Sequence, residues 1–434
     1  MKPGKPGLEP GGTTQQLATA VSTAKNDKAR GLIVALGIGQ ICSWGTLYYC
    51  FPLIAEAMGL EFGWSKTSLY GAASVGLLLA SLATYPVGVA IDRGYGRWVM
   101  GLSSVLAGVC LLVWSQISTL MVFYLLMACV GILQAATLYE PAFAVVSRRV
   151  GPLQARRAII SLTLWGGFSS TVFIPLTQVL LDNWGWRDAL ITLGLINIFI
   201  CGVAYLCFIQ PRRDAVSAGV ANSQQIEVNR QAVRMALRQP VFWVLFVSLT
   251  VYTIIFSAFT FHMYPLLLER GLGTSDVVQA IALIGPAQVV GRTLIGVFAN
   301  KISMRVIGAV VALTFPVTFG VLAFIRPEFW FIAGICATYG ATNGIFTIVR
   351  GLVVPEMLSQ HAYGAINGIL SIPTTIARAV APVGAAYLWS LSASYSLVLG
   401  AIVACAIILA LGFWLAVWLS RQPALASPHM TPVP

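Results

Sequence analysis

Charge is scarce in this sequence. Asp, Glu, Lys and Arg together make up 9% of 434 residues, against 58% hydrophobic residues and a mean hydropathy of +0.84. A soluble domain of this length needs far more charge to meet water, so that class is excluded and a polytopic helical membrane protein is indicated. Other signals are missing too. The eight cysteines (Cys42, Cys50, Cys110, Cys129, Cys201, Cys207, Cys336, Cys405) all fall in apolar segments, and no pair has metal-ligand or redox spacing. They read as buried packing residues, and no metal or cofactor is expected. No phosphate-binding P-loop and no hydrolase nucleophile motif stands out, which argues against an ATP-driven pump and against a membrane enzyme. The first thirty residues are polar and rich in Gly and Pro, without the apolar core of a secretory signal.

What the chain has in plenty is apolar segments of membrane-crossing length, about 20 residues each. Twelve are read, at 31–57, 67–91, 98–115, 119–147, 158–181, 187–209, 240–267, 276–299, 304–325, 329–354, 364–389 and 395–419. The expected fold class is therefore all-α, with twelve transmembrane helices in two pseudo-symmetric six-helix bundles. The expected organisation is a disordered tail over 1–29, a first bundle over 30–210, a polar linker over 211–239, a second bundle over 240–420 and a short tail over 421–434. In the linker, Arg230, Arg234 and Arg238 recur every four residues and read as the basic face of a short helix lying on the inner leaflet.

The net charge of +12 is explained by loop asymmetry rather than by nucleic-acid binding. With both termini inside, nineteen Lys and Arg fall on cytoplasmic segments, and four (Lys66, Arg187, Arg270, Arg326) fall on outer loops. That imbalance predicts cytoplasmic termini. Three arginines are left inside spans, Arg292, Arg350 and Arg378, with one acidic residue, Glu140. Arg292 sits near the middle of the apolar run Asp276–Lys301, with Gln288 one turn before it. An arginine at the bilayer centre costs roughly 2.5–3.5 kcal/mol on insertion scales, so a functional role is its default reading.

The two halves echo each other. Phe51-Pro52-Leu53 ends the first span as Tyr264-Pro265-Leu266 ends the seventh; GVAIDRGYGR at 88–97 follows the second span as GVFANKISMR at 296–305 follows the eighth. Parallel six-helix repeats put a binding site at their interface, near the midplane.

The Gly88…Asp92-Arg93…Gly96-Arg97 loop, with twelve spans and a long central loop, resembles the major facilitator superfamily over about residues 30–420. This copy carries one residue more before its second glycine than the usual pattern. FGWSKTS (62–68), GGFSSTVFIPL (166–176), GWRDAL (185–190), FHMYPLLLERG (261–271) and GPAQVVGR (285–292) resemble bacterial monocarboxylate-porter-like members. The resemblance implies a secondary transporter in a bacterial inner membrane. It would be monomeric, surrounded by lipid, and would move a small organic anion, in the expected case a monocarboxylate, by alternating access.

It also implies roles for particular residues. Arg292 would bind the substrate carboxylate, since a guanidinium offers a planar fork that a carboxylate accepts bidentately; pairing with backbone carbonyls or Gln288 is the structural alternative. Arg378 is a second candidate anion ligand. Gln288 stands where animal proton-coupled members have an aspartate, and Thr46, beside Tyr48 and Tyr49, stands near their lysine, so any proton coupling must use another group. His262, in the seventh span, is a candidate for carrying a proton or contacting substrate; ordinary packing is the alternative. Aromatics on cavity-lining spans, Trp44, Tyr48, Tyr49 and Tyr139 among them, are candidates for an apolar wall. Asp92, Arg93 and Arg97 would clamp the inner face, with Arg148 or Arg149 as partner for Asp92. Glu140 and Arg350, at one depth in opposite halves, are candidates for a breakable inner gate. The competing functional reading is efflux of a neutral or cationic amphipathic compound, with Arg292 structural.

Overall fold

The computed structural model describes residues 31–210, 231, 233–298, 302–358 and 363–421, and all regular structure among them is helical. The expected tails, Lys301 and most of the linker, Arg230 included, lie outside the described residues. Arg234 and Arg238 are exposed on a helical turn at 233–238.

Ten helical stretches are long and apolar enough to cross a membrane. Two of them, Lys66–Trp114 at 49 residues and Arg157–Phe208 at 52, are more than twice the ~20 residues one crossing needs, so each holds two and the ten supply twelve. We number them α1 (Gly31–Phe62), α2 (Lys66–Ala90), α3 (Gly96–Trp114), α4 (Leu120–Val150), α5 (152–184), α6 (186–208), α7 (Pro240–Glu269), α8 (Thr274–Ile295), α9 (Met304–Phe324), α10 (Phe329–Met357), α11 (Tyr363–Ser392) and α12 (Tyr395–Arg421). The chain reverses between α2 and α3 at Gly94 (φ 91°) and between α5 and α6 at Gly185 (φ 79°), left-handed values that glycine adopts without penalty. The turn at Ile91–Tyr95 is a kink with Gly94 left-handed inside it, and it takes up the longer loop noted in the sequence.

The interior divides in two. One buried cluster is built on α1–α6 around Trp114, Phe123 and Tyr70; the other is built on α7–α12 around Phe242, Phe315, Phe346 and Phe413. The outside is as apolar as the inside: Leu82, Leu125, Phe199 and Leu411 are all well exposed, as a lipid solvent requires. With lipid outside there is little hydrophobic drive between helices, so packing depends on close approach. A Cβ on Gly131 would stand 1.9 Å from the Gly76 carbonyl oxygen, and one on Gly344 would stand 2.5 Å from that of Gln288. These contacts set the α2–α4 and α8–α10 crossings.

The halves meet mainly where α2 lies on α11 and where α5 lies on α8. Counting six helices per half, α2 corresponds to α8 and α11 to α5, so the two seams are equivalent under the pseudo-two-fold.

Candidate functional site

Of the molecule's two ends, one is sealed. It carries the α1–α2, α5–α6, α7–α8 and α11–α12 turns. Near it Tyr70 Oη donates to the Phe261 carbonyl at 3.1 Å, Tyr264 Oη to Gln178 Oε1 at 2.8 Å, Thr171 Oγ1 to the Ala282 carbonyl at 2.9 Å, and the Val383 amide to Ser74 Oγ at 3.3 Å. Each of these bonds joins the two halves. At the opposite end the ion pairs Arg148–Asp92 and Arg305–Glu356 each stay within one half.

Between the ends, both halves present partly exposed aromatic and basic side chains to each other. From the first half come Trp44, Tyr49 and Tyr139; from the second come Phe256, Arg292, Arg350 and Arg378. Two irregularities aim the aromatics. In α1, Gly45–Tyr49 is a π-turn, which shifts the register of the face carrying Tyr48 and Tyr49. In that register the Leu47 carbonyl would look to the amide of Pro52, which has no hydrogen; Gln134 Nε2 donates to it instead, at 2.6 Å. In α4 the helix breaks at Leu138, which is extended (φ −81°, ψ −150°). Pro141 cannot donate to the Thr137 carbonyl, so Gln40 Nε2 does, at 2.8 Å. The result is a wall in which the Trp44 ring lies 5.1 Å from Tyr48 and 5.0 Å from Tyr139.

Arg292 faces this wall. Its Nη1 donates to the Thr163 carbonyl across the α5–α8 seam at 2.5 Å, and its Nη2 reaches Gln288 Oε1 at 3.3 Å. Its Nε is buried without a partner, and it forms no ion pair with a described residue. Beside it Tyr139 packs on a glycine: a Cβ on Gly166 would collide with Tyr139 Oη at 2.2 Å. Arg378 likewise keeps a buried, unpartnered Nε and lies in electrostatic reach of Tyr48. Tyr252 stands within electrostatic reach of Arg292, Arg350 and Arg378, and its hydroxyl donates to Asn343 Oδ1 at 2.6 Å. Trp44 Nε1 and Tyr48 Oη, both on the wall, are also buried without partners. Basic groups, aromatic faces and unfilled hydrogen-bonding atoms therefore converge at mid-depth. That is the composition expected of a site for an anion with a hydrocarbon part.

Arg292, Gln288, Arg378, Tyr48 and Tyr49 come together there. Two expected members do not. His262 is fully buried in the seal: its Nε2 donates to the Pro382 carbonyl at 2.8 Å, its Nδ1 meets Tyr395 Oη at 2.9 Å, and its ring stacks on Tyr70 at 4.0 Å. Thr46 is turned into the first half's core, donating to the Cys42 carbonyl at 2.8 Å and accepting from Asn197. In this conformation both satisfy packing rather than face the space between halves.

The gate candidates sit at the end opposite the seal. Arg148 Nη1 donates to the Asp92 carbonyl at 2.7 Å, and the Asp92 carboxylate is 4.0 Å from the same guanidinium. Arg93 is exposed, and Arg97 lies over Trp98 at 5.4 Å. Glu140 is exposed and Arg350 half-buried, and among the described residues no ion pair joins the two to each other. The cysteines are free thiols; Cys42, Cys50, Cys201 and Cys336 are buried as expected, while Cys129 and Cys207 stand on exposed faces. Among the described residues no group of His, Cys, Asp or Glu has the arrangement of a metal site.

Sequence reasoning missed Gln40, Gln134, Tyr252 and Asn343. Pro52 and Pro141 were a usable signal for the first two, because each proline in a helix leaves a carbonyl that a nearby amide side chain must serve. Nothing in the sequence pairs Tyr252 with Asn343, which lies 91 residues away.

A sequence profile described as Major Facilitator Superfamily matches residues 36–382. Human monocarboxylate transporter 11 is 27% identical over 296 residues, which is 65% of this chain and 56% of that protein. Rat monocarboxylate transporter 13 is 30% identical over 175 residues, 39% of this chain and 38% of that protein. The matches thus span about half or less of those relatives, whereas the bovine transporter 13 aligns at 24% identity over 83% of this chain and 82% of its own length. Among solved structures, the nucleoside transporter NupG superposes with a TM-score of 0.71 at 13% identity, covering 90% of this chain and 99% of that one. A bacterial homologue of the human lysosomal transporter Spinster, inward-facing and unoccupied, superposes at 0.67 and 15%, covering 92% and 97%. Likeness at these identities speaks to the fold.

Proposed function

This chain belongs to the Major Facilitator Superfamily of membrane transporters, and from that premise we propose that it is a secondary transporter of a small organic anion, in the expected case a monocarboxylate, working by alternating access. The observation that carries the reading is Arg292. It is a half-buried guanidinium at mid-depth between the halves, with an unpartnered Nε and no ion pair among the described residues. The Nε/Nη2 edge of its fork is the one a carboxylate would take, since Nη2 is held only by the long contact to Gln288. Arg378 is a second anion ligand, and Trp44, Tyr48, Tyr49 and Tyr139 receive the hydrocarbon part. The similarity to monocarboxylate transporters 11 and 13 supports the substrate class.

Arg292 also bonds the Thr163 carbonyl across the seam. A carboxylate on the Nε/Nη2 edge would sit beside this tie between α5 and α8, so substrate would lie at a seam that must rearrange in alternating access. The surplus of Lys and Arg on one set of loops supports cytoplasmic termini in a bacterial inner membrane, with the sealed end outward. On that orientation the conformation is open to the cytoplasm. The Asp92–Arg97 loop and the pair Glu140–Arg350 are assigned to closing that end in the opposite state.

The second reading, efflux of a neutral or cationic amphipathic compound, draws on the same Thr163 bond, which serves equally well as a structural tie. Carboxylate binding to purified Arg292 variants separates the two. Arg292→Lys keeps the charge but loses the fork, so affinity falls by about 2 kcal/mol, roughly tenfold or more. Arg292→Gln abolishes binding while still expressing, because it removes a charge from the membrane. A well-expressed Arg292→Gln protein that binds carboxylate at parental affinity overturns the anion site and moves efflux to first place.

A further inference from the structure

At the sealed end a charged group touches both halves. Lys66, at the start of α2, places its Nζ 2.9 and 2.7 Å from the two carboxylate oxygens of Glu56 on α1. The same Nζ lies 5.2 Å from the centre of the Trp389 ring and 5.9 Å from that of Tyr395. Those two rings belong to the other half, at the end of α11 and the start of α12. Glu269, at the end of α7, fixes both: Trp389 Nε1 donates to its Oε2 at 2.7 Å and the Tyr395 amide to its Oε1 at 2.6 Å. Tyr395 in turn reaches His262, which Tyr70 of the first half covers.

We infer that Lys66 is a positioning residue for transport, a latch whose ammonium, held by Glu56 of one half, docks on the Trp389–Tyr395 ring pair of the other and keeps this end shut. An ammonium within about 6 Å of an aromatic face is attracted by the ring quadrupole, more strongly as it loses water. The Lys66 side chain is only 16% exposed. The carboxylate and the rings attract the ammonium together only while the halves are closed. When the end opens, the pair with Glu56 travels with the first half and the ring contact is lost. The latch is therefore breakable at modest cost, as a gate that cycles must be. It does not depend on what the transporter carries.

The test reads opening directly. Ser74, on the seam, is buried where its hydroxyl accepts from the Val383 amide. In purified full-length protein carrying Ser74→Cys, a charged maleimide is added and mass spectrometry reads the adduct at position 74, so the native cysteines stay in place. Lys66→Met should raise the labelling rate about three- to tenfold, the range set by one partly desolvated cation–π contact. Lys66→Arg, which keeps the charge and stacks on rings, should restore the parental rate. Trp389→Leu should raise labelling similarly with the Glu56 pair intact, and adding Lys66→Met to it should raise it little further. A parental rate in Lys66→Met overturns the latch, as does full additivity of the two changes, which would leave Lys66 an ordinary loop ion pair. If Lys66→Met does not fold, Trp389→Leu alone decides: faster labelling supports the latch and a parental rate overturns it.

Discussion

The seal and the mid-depth site are built from the same residue types, yet they treat polar atoms in opposite ways. In the seal, His262, Tyr70, Tyr264, Gln178, Trp389 and Tyr395 each have a hydrogen-bond partner. A few turns away, Trp44 Nε1, Tyr48 Oη, Arg292 Nε and Arg378 Nε are buried with none; single unpartnered atoms occur elsewhere too, Ser104 Oγ and Thr177 Oγ1 among them, but here four stand close together. An unsatisfied buried polar atom costs about 1–3 kcal/mol, so a fold tolerates several together only where something else supplies partners. The seal holds a conformation with its own atoms. The site, on the proposed function, is completed by what it carries.

The comparison breaks most visibly at His262. Its two ring nitrogens serve Tyr395 Oη and the Pro382 carbonyl. His262→Phe keeps a ring against Tyr70 but strips both groups of their partner. Thermal unfolding should show a loss of about 2–4 kcal/mol, near the sum of two orphaned polar groups, while carboxylate affinity stays close to parental. If affinity collapses and stability does not, His262 works in the site after all and the seal is wrongly separated from it.

His262 also shows where a sequence stops being legible. The spans were readable because membrane thickness fixes their length: the segments expected at 240–267 and 395–419 are the helices Pro240–Glu269 and Tyr395–Arg421. The arginines within spans were readable because charge in lipid is conspicuous. Whether a histidine faces a partner or a cavity depends on Tyr395, 133 residues away, and no local pattern carries that. The π-turn at Gly45–Tyr49 and the break at Leu138 are marked in the sequence only by Pro52 and Pro141, and nothing local says that Gln134 and Gln40 reach from other helices to the carbonyls those prolines leave. Thr46 was placed by analogy with a position in the family, and the same π-turn buries it at 0% exposure.

Trp44 sharpens the comparison from the other side. Its indole nitrogen has no partner in the protein, so Trp44→Phe, which keeps the ring and removes the N–H, should leave the unfolding temperature unchanged or raise it slightly. Substrates with a hydrogen-bond acceptor beside the carboxylate should lose about three- to tenfold in affinity, the worth of one neutral hydrogen bond. Those without such an acceptor should lose little. Isothermal titration with a matched pair, one bearing a 2-oxo group and one lacking it, reads the difference. Equal losses for both would mean that the indole acts by shape alone.

The smallest effect on stability is expected at the end opposite the seal, where no ion pair joins Glu140 to Arg350 among the described residues. Glu140 lies in the first turn of the helical segment after the Leu138 break, exposed, where the helix dipole favours its charge. Removing an exposed charge of that kind costs about 0.3–1 kcal/mol, so Glu140→Gln should unfold almost as the parent does. Transport is a different matter if the pair forms only when this end closes. Each of Glu140→Gln and Arg350→Gln should then slow uptake into proteoliposomes by about two- to fivefold, the kinetic counterpart of an interaction worth 0.5–1 kcal/mol. The swap Glu140→Arg with Arg350→Glu restores the attraction with its ends exchanged, and part of the rate should return. A double variant no faster than either single one leaves the two positions uncoupled. The closing of this end would then fall to the Asp92–Arg97 loop, whose partner in the present state, Arg148, belongs to its own half.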